Sequence, residues 1–216
     1  MQRISAAMVM LALAGNVAAQ EPLYKFSTTV IGEPIYTFGT TVVATSGFRG
    51  EIYHINPGSR KLPDFSKLKP VGEIYTPYLC VPPRSFDEGF PGVTDRFEWF
   101  AIDYTARFWV SKPGKYRFAL ASDDGSILYI DGKKVIQNDK QHPVIEKAGS
   151  VNLRMGEHAI RVSYFQGPRF QVALVLRVAR PDDPELRVFH TDDFKPSSDS
   201  QCVLGSRAGC HPARGC

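Results

Sequence analysis

Between Phe100 and Val178 the apolar residues recur at every second position, and that period decides which folds are open to the chain. In FAIDYTARFWV, residues 100–110, the positions Phe100, Ile102, Tyr104, Ala106, Phe108 and Val110 share one side, while Asp103, Thr105 and Arg107 occupy the other. Successive side chains of a strand point to opposite faces, so this segment is expected to be a long half-buried strand. Ser111-Lys112-Pro113-Gly114 then supplies turn chemistry. Tyr116, Phe118 and Leu120 resume the alternation against Lys115 and Arg117, which predicts a hairpin. Further on, Val151 and Leu153 alternate with Asn152 and Arg154, Met155-Gly156-Glu157 turns the chain, and Ile160, Val162 and Tyr164 alternate with Arg161 and Ser163. A last strand is expected over Phe170, Val172, Leu174, Leu176 and Val178. No comparable window shows a capped helical stripe. Strands at this spacing, separated by Gly and Pro, predict an all-β fold, an antiparallel β-sandwich with flexible termini.

The ends of the chain set its context. Met1-Gln2-Arg3 is a short basic start, Ile4 to Gly15 is apolar apart from Ser5, and Val17-Ala18-Ala19 offers small residues for cleavage. Residues 1–19 therefore read as a signal peptide, with the mature chain starting at Gln20 in a secreted or extracytoplasmic setting, periplasm or cell surface. That run is too short to span a bilayer and no second one follows, so no transmembrane segment is expected. Residues 20–46, with Thr28-Thr29-Val30-Ile31 and Thr40-Thr41-Val42-Val43, read as an N-terminal extension or edge hairpin. The sandwich is expected over 47–178, a C-terminal extension over 179–194, and a disordered tail over 195–216, where Pro, Ser, Gly and Arg replace apolar residues.

Charge and cysteine content exclude several functions. There are 26 Lys and Arg against 22 Asp and Glu, interspersed along the chain, so nucleic acid is not an expected partner. Cys80, Cys202, Cys210 and Cys216 suit an oxidising compartment, but three of the four fall in the tail, where they do not staple a core. Their wide spacing, with only His211 nearby, does not resemble paired zinc ligands. There is no G-x-S-x-G, H-E-x-x-H or G-x-x-x-x-G-K motif, and no catalytic role is expected.

One short stretch carries the candidate chemistry. In SDDGSILYIDG, residues 122–132, Ile127 to Ile130 read as a strand and Asp131-Gly132 as a type I′ hairpin turn, with Lys133 to Gln137 returning. Gly125 alone would turn the chain at the other end, which leaves Asp123-Asp124 surplus to the turn. Adjacent carboxylates repel each other unless a cation or donors offset their charge. Being neighbours on one corner, they do not straddle a substrate as glycosidase acids must.

Three blocks, FWVSKPGKYRFALASDDGSILYIDGKKVIQND (108–139) with the later His142, VNLRMGEHAIRVSYFQGPRFQVALVLRV (151–178), and GFRGEIYHI (47–55), resemble the protective-antigen-type (PA14) domain family, in its bacterial fibro-slime variety. The stretch Lys61 to Thr94 is less typical of it. The resemblance implies a β-sandwich that serves as a binding or positioning module in secreted toxins, adhesins, glycosidases and surface proteins. In the sugar-binding adhesins of the family the adjacent aspartates are joined by a cis peptide and hold calcium, which in turn holds sugar hydroxyls; the matching residues are Asp123 and Asp124. Calcium takes six to eight oxygens as a rule, so more must come from elsewhere.

The resemblance places them in the loop before the last strand, Gln166-Gly167-Pro168-Arg169, which here has no Asp or Asn. Gln166 and backbone carbonyls can supply oxygen; alternatively, Arg169 pairs with Asp123 or Asp124 and no metal is needed. Asp123, Asn138 to His142 and Gln166 to Arg169 are expected to form one end of the sandwich. Gln166, Arg169, Asn138 and His142 are thus the ligand-binding candidates beside a calcium at Asp123 and Asp124. The partner expected is a glycan or another cell-surface or matrix component; the alternative is an adhesive surface protein that makes protein contacts without metal or sugar. Of the remaining candidates, His142-Pro143 reads also as a turn, His158 as a core-edge histidine beside Ile160, Val162 and Tyr164, and Trp99 and Trp109 as packed side chains on the face of Asp103.

Overall fold

The computed structural model describes residues 47–93 and 96–196. The expectations for the leader, for residues 20–46 and for the tail beyond residue 196 lie outside the described residues.

The described residues form eleven strands: β1 (Phe48–His54), β2 (Gly72–Thr76), β3 (Cys80–Ser85), β4 (Phe100–Val110), β5 (Gly114–Asp123), β6 (Ser126–Ile130), β7 (Lys133–Asn138), β8 (Ile145–Leu153), β9 (Gly156–Gln166), β10 (Gln171–Ala179) and β11 (Arg187–Val188). They make two antiparallel sheets. One runs β2-β1-β4-β9-β6-β7; the other runs β11-β10-β5-β8, with β3 also paired to β10. Among the described residues no helix is long and apolar enough to cross a membrane.

The core lies where the two inner faces meet. Ile102, Tyr104 and Phe108 of β4 face Tyr116, Phe118 and Leu120 of β5, and Val162 and Tyr164 of β9 join Leu174 and Leu176 of β10, all of them buried. Each such large side chain contributes roughly 1.5–3 kcal/mol when removed from water. The C-terminal extension is part of this core. Phe189 and Phe194 stack at 4.9 Å, and both meet Phe108 edge-on.

The hairpin expected between β4 and β5 does not form. β4 pairs with β1 and β9, whereas β5 pairs with β10 and β8, so residues 111–113 carry the chain from one sheet to the other. Alternation shows which side of a strand is buried, but both sheets of a sandwich bury the same kind of face, and period two is therefore blind to the partner. The links Asp123–Ser126 and Leu153–Gly156 cross in the same way. The β6–β7 hairpin does form, with positive φ at Asp131 (49°) and Gly132 (75°) as a type I′ turn requires. Two further expectations change. Phe170 falls before β10 and is 82% exposed, and the less typical stretch 61–94 supplies β2 and β3.

A second, smaller cluster covers the outer face of the six-stranded sheet. Tyr53, Ile55, Ala101 and Phe165 lie beneath Leu62, Phe65, Leu68 and Trp99, which accounts for Trp99 as a packed side chain.

Candidate functional site

Asp123 is the last residue of β5, and Ser126 opens β6 in the opposite sheet, so Asp123-Asp124-Gly125 forms a sheet-crossing corner. The peptide between the two aspartates is cis. Gly125 is required by crowding: a Cβ there would lie 2.4 Å from the Phe165 ring and 2.9 Å from the Lys140 backbone. The corner is thereby pressed against the end of β9 and against the 139–144 loop.

Both aspartates are buried, each 5% exposed. Asp124 is held by two backbone donors: the His142 N–H reaches Oδ1 at 3.1 Å and the Gly167 N–H reaches Oδ2 at 2.7 Å. The Asp123 carboxylate receives no hydrogen bond from the described residues; its backbone carbonyl lies 2.7 Å from the Tyr164 hydroxyl, which donates to it. Burial, and then the neighbouring Asp124 charge, push the Asp123 carboxyl up to about 7, with His142 opposing. Burial raises Asp124 as well, against the pull of the Gly167 and His142 N–H groups. Two carboxylates packed together with so few donors lack counter-charge.

The surroundings are polar and tightly bonded. Ser122 Oγ and Ser126 Oγ lie 2.7 Å apart, and Asn138 Nδ2 donates to Ser122 Oγ (3.1 Å) and to the Ile145 carbonyl (2.9 Å). Asn138 Oδ1 is buried and has no hydrogen-bond partner among the described residues. The His142 ring spans two carbonyls, Asn138 O and Pro143 O, each at 2.8 Å. Residues 59–62 brace this loop, since Gln141 Nε2 donates to Ser59 O at 3.0 Å and Leu62 N to Asp139 Oδ1 at 2.9 Å.

The corner thus gathers Asp123, Asp124, Asn138 and His142. Gln166 is adjacent but turned inward. It is fully buried, its Oε1 lies 2.6 Å from the Tyr164 hydroxyl and shares that group's single proton with the Asp123 carbonyl, and its Nε2 donates to Gln171 O at 3.0 Å. Arg169 does not pair with the aspartates: it is 73% exposed, 3.8 Å from Glu98 and stacked over Phe86 at 5.6 Å. The loop it occupies projects its side chain away from the corner and offers a backbone N–H instead. Glu98 and Phe86 were too far along the sequence for this pairing to be foreseen. Tyr164 and Gly167 were not singled out either, the first because it sits in an apolar stripe, the second because its contribution is a backbone group. At the far end of β6, His158 is a satisfied core-edge residue, with Nδ1 2.6 Å from Asp131 Oδ2 and Nε2 2.9 Å from Arg154 O.

The donor set suits a hard cation. Asp123 offers two carboxylate oxygens unencumbered by described donors, and each Asp124 oxygen keeps a lone pair beyond its one hydrogen bond. Among the described residues no three His, Cys, Asp or Glu side chains converge to hold a metal. A cation held here by the two carboxylates therefore draws its other oxygens from the backbone, water or a ligand.

Comparison with known proteins agrees with this architecture. The family model described as the PA14 domain matches residues 85–187, from the end of β3 to the first residue of β11. The PA14 domain of the MpAFP antifreeze protein superposes with a TM-score of 0.57 at 16% identity, over 73% of this chain and 94% of that one. A PA14 sugar-binding domain from an RTX adhesin gives 0.54 at 16% identity, over 69% and 97%. An anti-sigma factor domain-containing protein gives 0.54 at 22% identity, over 71% of this chain; the match spans about half of that protein, 49%. At these identities the likeness establishes the fold. No curated protein matches the chain by sequence.

Proposed function

We propose that this chain, whose residues 85–187 match the PA14 domain, is an extracytoplasmic, non-catalytic module that binds carbohydrate through a calcium ion at Asp123 and Asp124. The observation that carries this reading is the Asp123 carboxylate: buried, next to a second buried carboxylate, and without a donor among the described residues. A divalent cation supplies the missing charge and offers open positions to vicinal sugar hydroxyls. The chain's own part is to hold the two carboxylates: Gly167 and His142 fix Asp124, and Tyr164 fixes the Asp123 backbone. The sugar-binding RTX adhesin domain among the structural relatives agrees with a glycan partner. Export rests on the leader-like residues 1–19, and N-terminal sequencing of the mature protein should begin at Gln20. The fibro-slime variety is proposed on the three sequence blocks alone.

A glycan array run with calcium and with chelator tests the reading. Chelator-sensitive binding of neutral glycans supports it, and the absence of any chelator-sensitive glycan signal contradicts it. A second reading, adhesion through protein contacts without sugar, is favoured by Phe170, 82% exposed beside Arg169. It predicts no array signal under either condition and loss of cell-surface adhesion in Phe170→Ser.

A further inference from the structure

Away from the aspartate corner, the outer face of the six-stranded sheet carries a groove of about 500 Å³ that the sugar-binding reading does not use. Three adjacent strands build it in register. Thr105 of β4, Arg161 of β9 and Tyr129 of β6 are direct cross-strand neighbours, and Arg107 and Ala159 face each other two residues further along. Ala159 has a short side chain and Gly132 has none, and they line it between the longer residues and leave room there.

Arg161 is held in one orientation. Its Nε donates to Asp103 Oδ1 at 2.8 Å, and the guanidinium lies 5.1 Å from the centre of the Tyr129 ring and 5.9 Å from that of Phe65. Asp103 is itself fixed by the Ser163 hydroxyl at 2.7 Å. The guanidinium is ion-paired with Asp103 through Nε, and among the described residues Nη1 and Nη2 make no hydrogen bond, although the side chain is 43% exposed. Two parallel N–H donors on a fixed planar group match the two oxygens of a carboxylate. Arg107 adds a second positive charge; its 3.3 Å contact with Glu157 is a solvent-exposed pair of the kind that exchanges readily. The volume is in the range that holds a small ligand, room for one or two sugar rings against Tyr129.

We propose that this groove binds the carboxylate of a uronic-acid residue in an acidic polysaccharide. Arg161 receives the carboxylate through Nη1 and Nη2, Arg107 supplies long-range attraction, and Tyr129 with the short-side-chain floor accommodates the ring. None of these residues belongs to the aspartate corner, so this second site stands or falls independently of calcium.

The test is calorimetric titration of the full chain, in chelator, with trigalacturonate, its methyl ester and triglutamate. The acidic sugar should bind at least about ten-fold more tightly than either control, and its affinity should fall as salt rises. Arg161→Lys, which keeps the charge but loses the planar fork, should weaken binding by about ten-fold. Ala159→Phe fills the groove from an exposed position and should do the same with an unchanged melting temperature, which keeps the test valid if Arg161→Lys folds poorly. Neither variant should alter calcium binding at the corner. Equal affinity for acid and ester, equal affinity for triglutamate, no binding at all, or full binding by Ala159→Phe would each overturn the proposal.

Discussion

The backbone N–H of Gly167 donates to Asp124 Oδ2 at 2.7 Å, tying the end of β9 to the corner where the chain passes between sheets. A Cβ at residue 167 would lie 2.9 Å from that same oxygen and 3.1 Å from Gln141 Nε2. Gly167→Ala should therefore push the carboxylate out of place at a cost of about 1–3 kcal/mol, typical of overpacking. Calcium titration of the variant should show weaker binding, alongside a lowered melting temperature.

Gly125→Ala should be harsher, because the clash is with the Phe165 ring and the Lys140 backbone together. Backbone cannot swing aside as a flexible side-chain end can. Circular dichroism should show a large loss of cooperative folding or no soluble folded protein.

The Asp123 carboxyl, raised to about 7 by burial and by Asp124, predicts a pH dependence of definite sign. An unfolded aspartate titrates near 3.9, so between about pH 4 and pH 7 the folded state binds more protons than the unfolded state. Metal-free stability should fall as pH rises through that window, with the full penalty present above pH 7. Melting in chelator should show this decline in the wild type and a flatter profile in Asp123→Asn. Calcium, which needs the ionised form, should bind more tightly as pH rises from 6 to 8, on the order of ten-fold per proton displaced per pH unit below the pKa.

Arg169 rests on Glu98 and Phe86, away from the aspartates. Arg169→Gln should leave calcium affinity within about two-fold of wild type, as expected for an exposed and screened charge. A large gain in affinity on removing this cation would show that it competes for the pair.

Asp131 provides the contrasting case. Its Oδ1 accepts the Ala159 N–H at 2.9 Å and its Oδ2 meets His158. Asp131→Ala should cost about 1–3 kcal/mol of stability by orphaning these donors and leave calcium binding at the aspartate corner unchanged. Chemical denaturation and the calcium titration check the two halves separately.

These residues show how far sequence reaches. The strands and their buried sides were legible because alternation is a local property, and Asp131-Gly132 was legible because its turn needs residues that tolerate positive φ. The pairing of β4 was not, since Tyr116 and Phe118 suit either sheet equally. Phe189 and Phe194 were assigned to an extension because a two-residue strand and a single 3₁₀ turn leave no period to detect. At the site, the aspartate pair stood out by its charge. Gly167 and Tyr164, which position it, act through a backbone N–H and a hydroxyl within an otherwise apolar stripe. Arg169 illustrates the converse: proximity along the loop suggested a partner that side-chain direction denies it.

The most direct test of a cation at Asp123 and Asp124 is thermal unfolding of the metal-free protein across a calcium titration, beside Asp124→Asn. Binding to the native state alone predicts a melting temperature that climbs with calcium, by a stabilisation of about 2.7 kcal/mol at one hundred times the dissociation constant. Asp124→Asn should need at least about ten-fold more calcium for the same rise. A wild-type melting temperature unmoved by millimolar calcium, or moved equally in Asp124→Asn, would contradict the metal site.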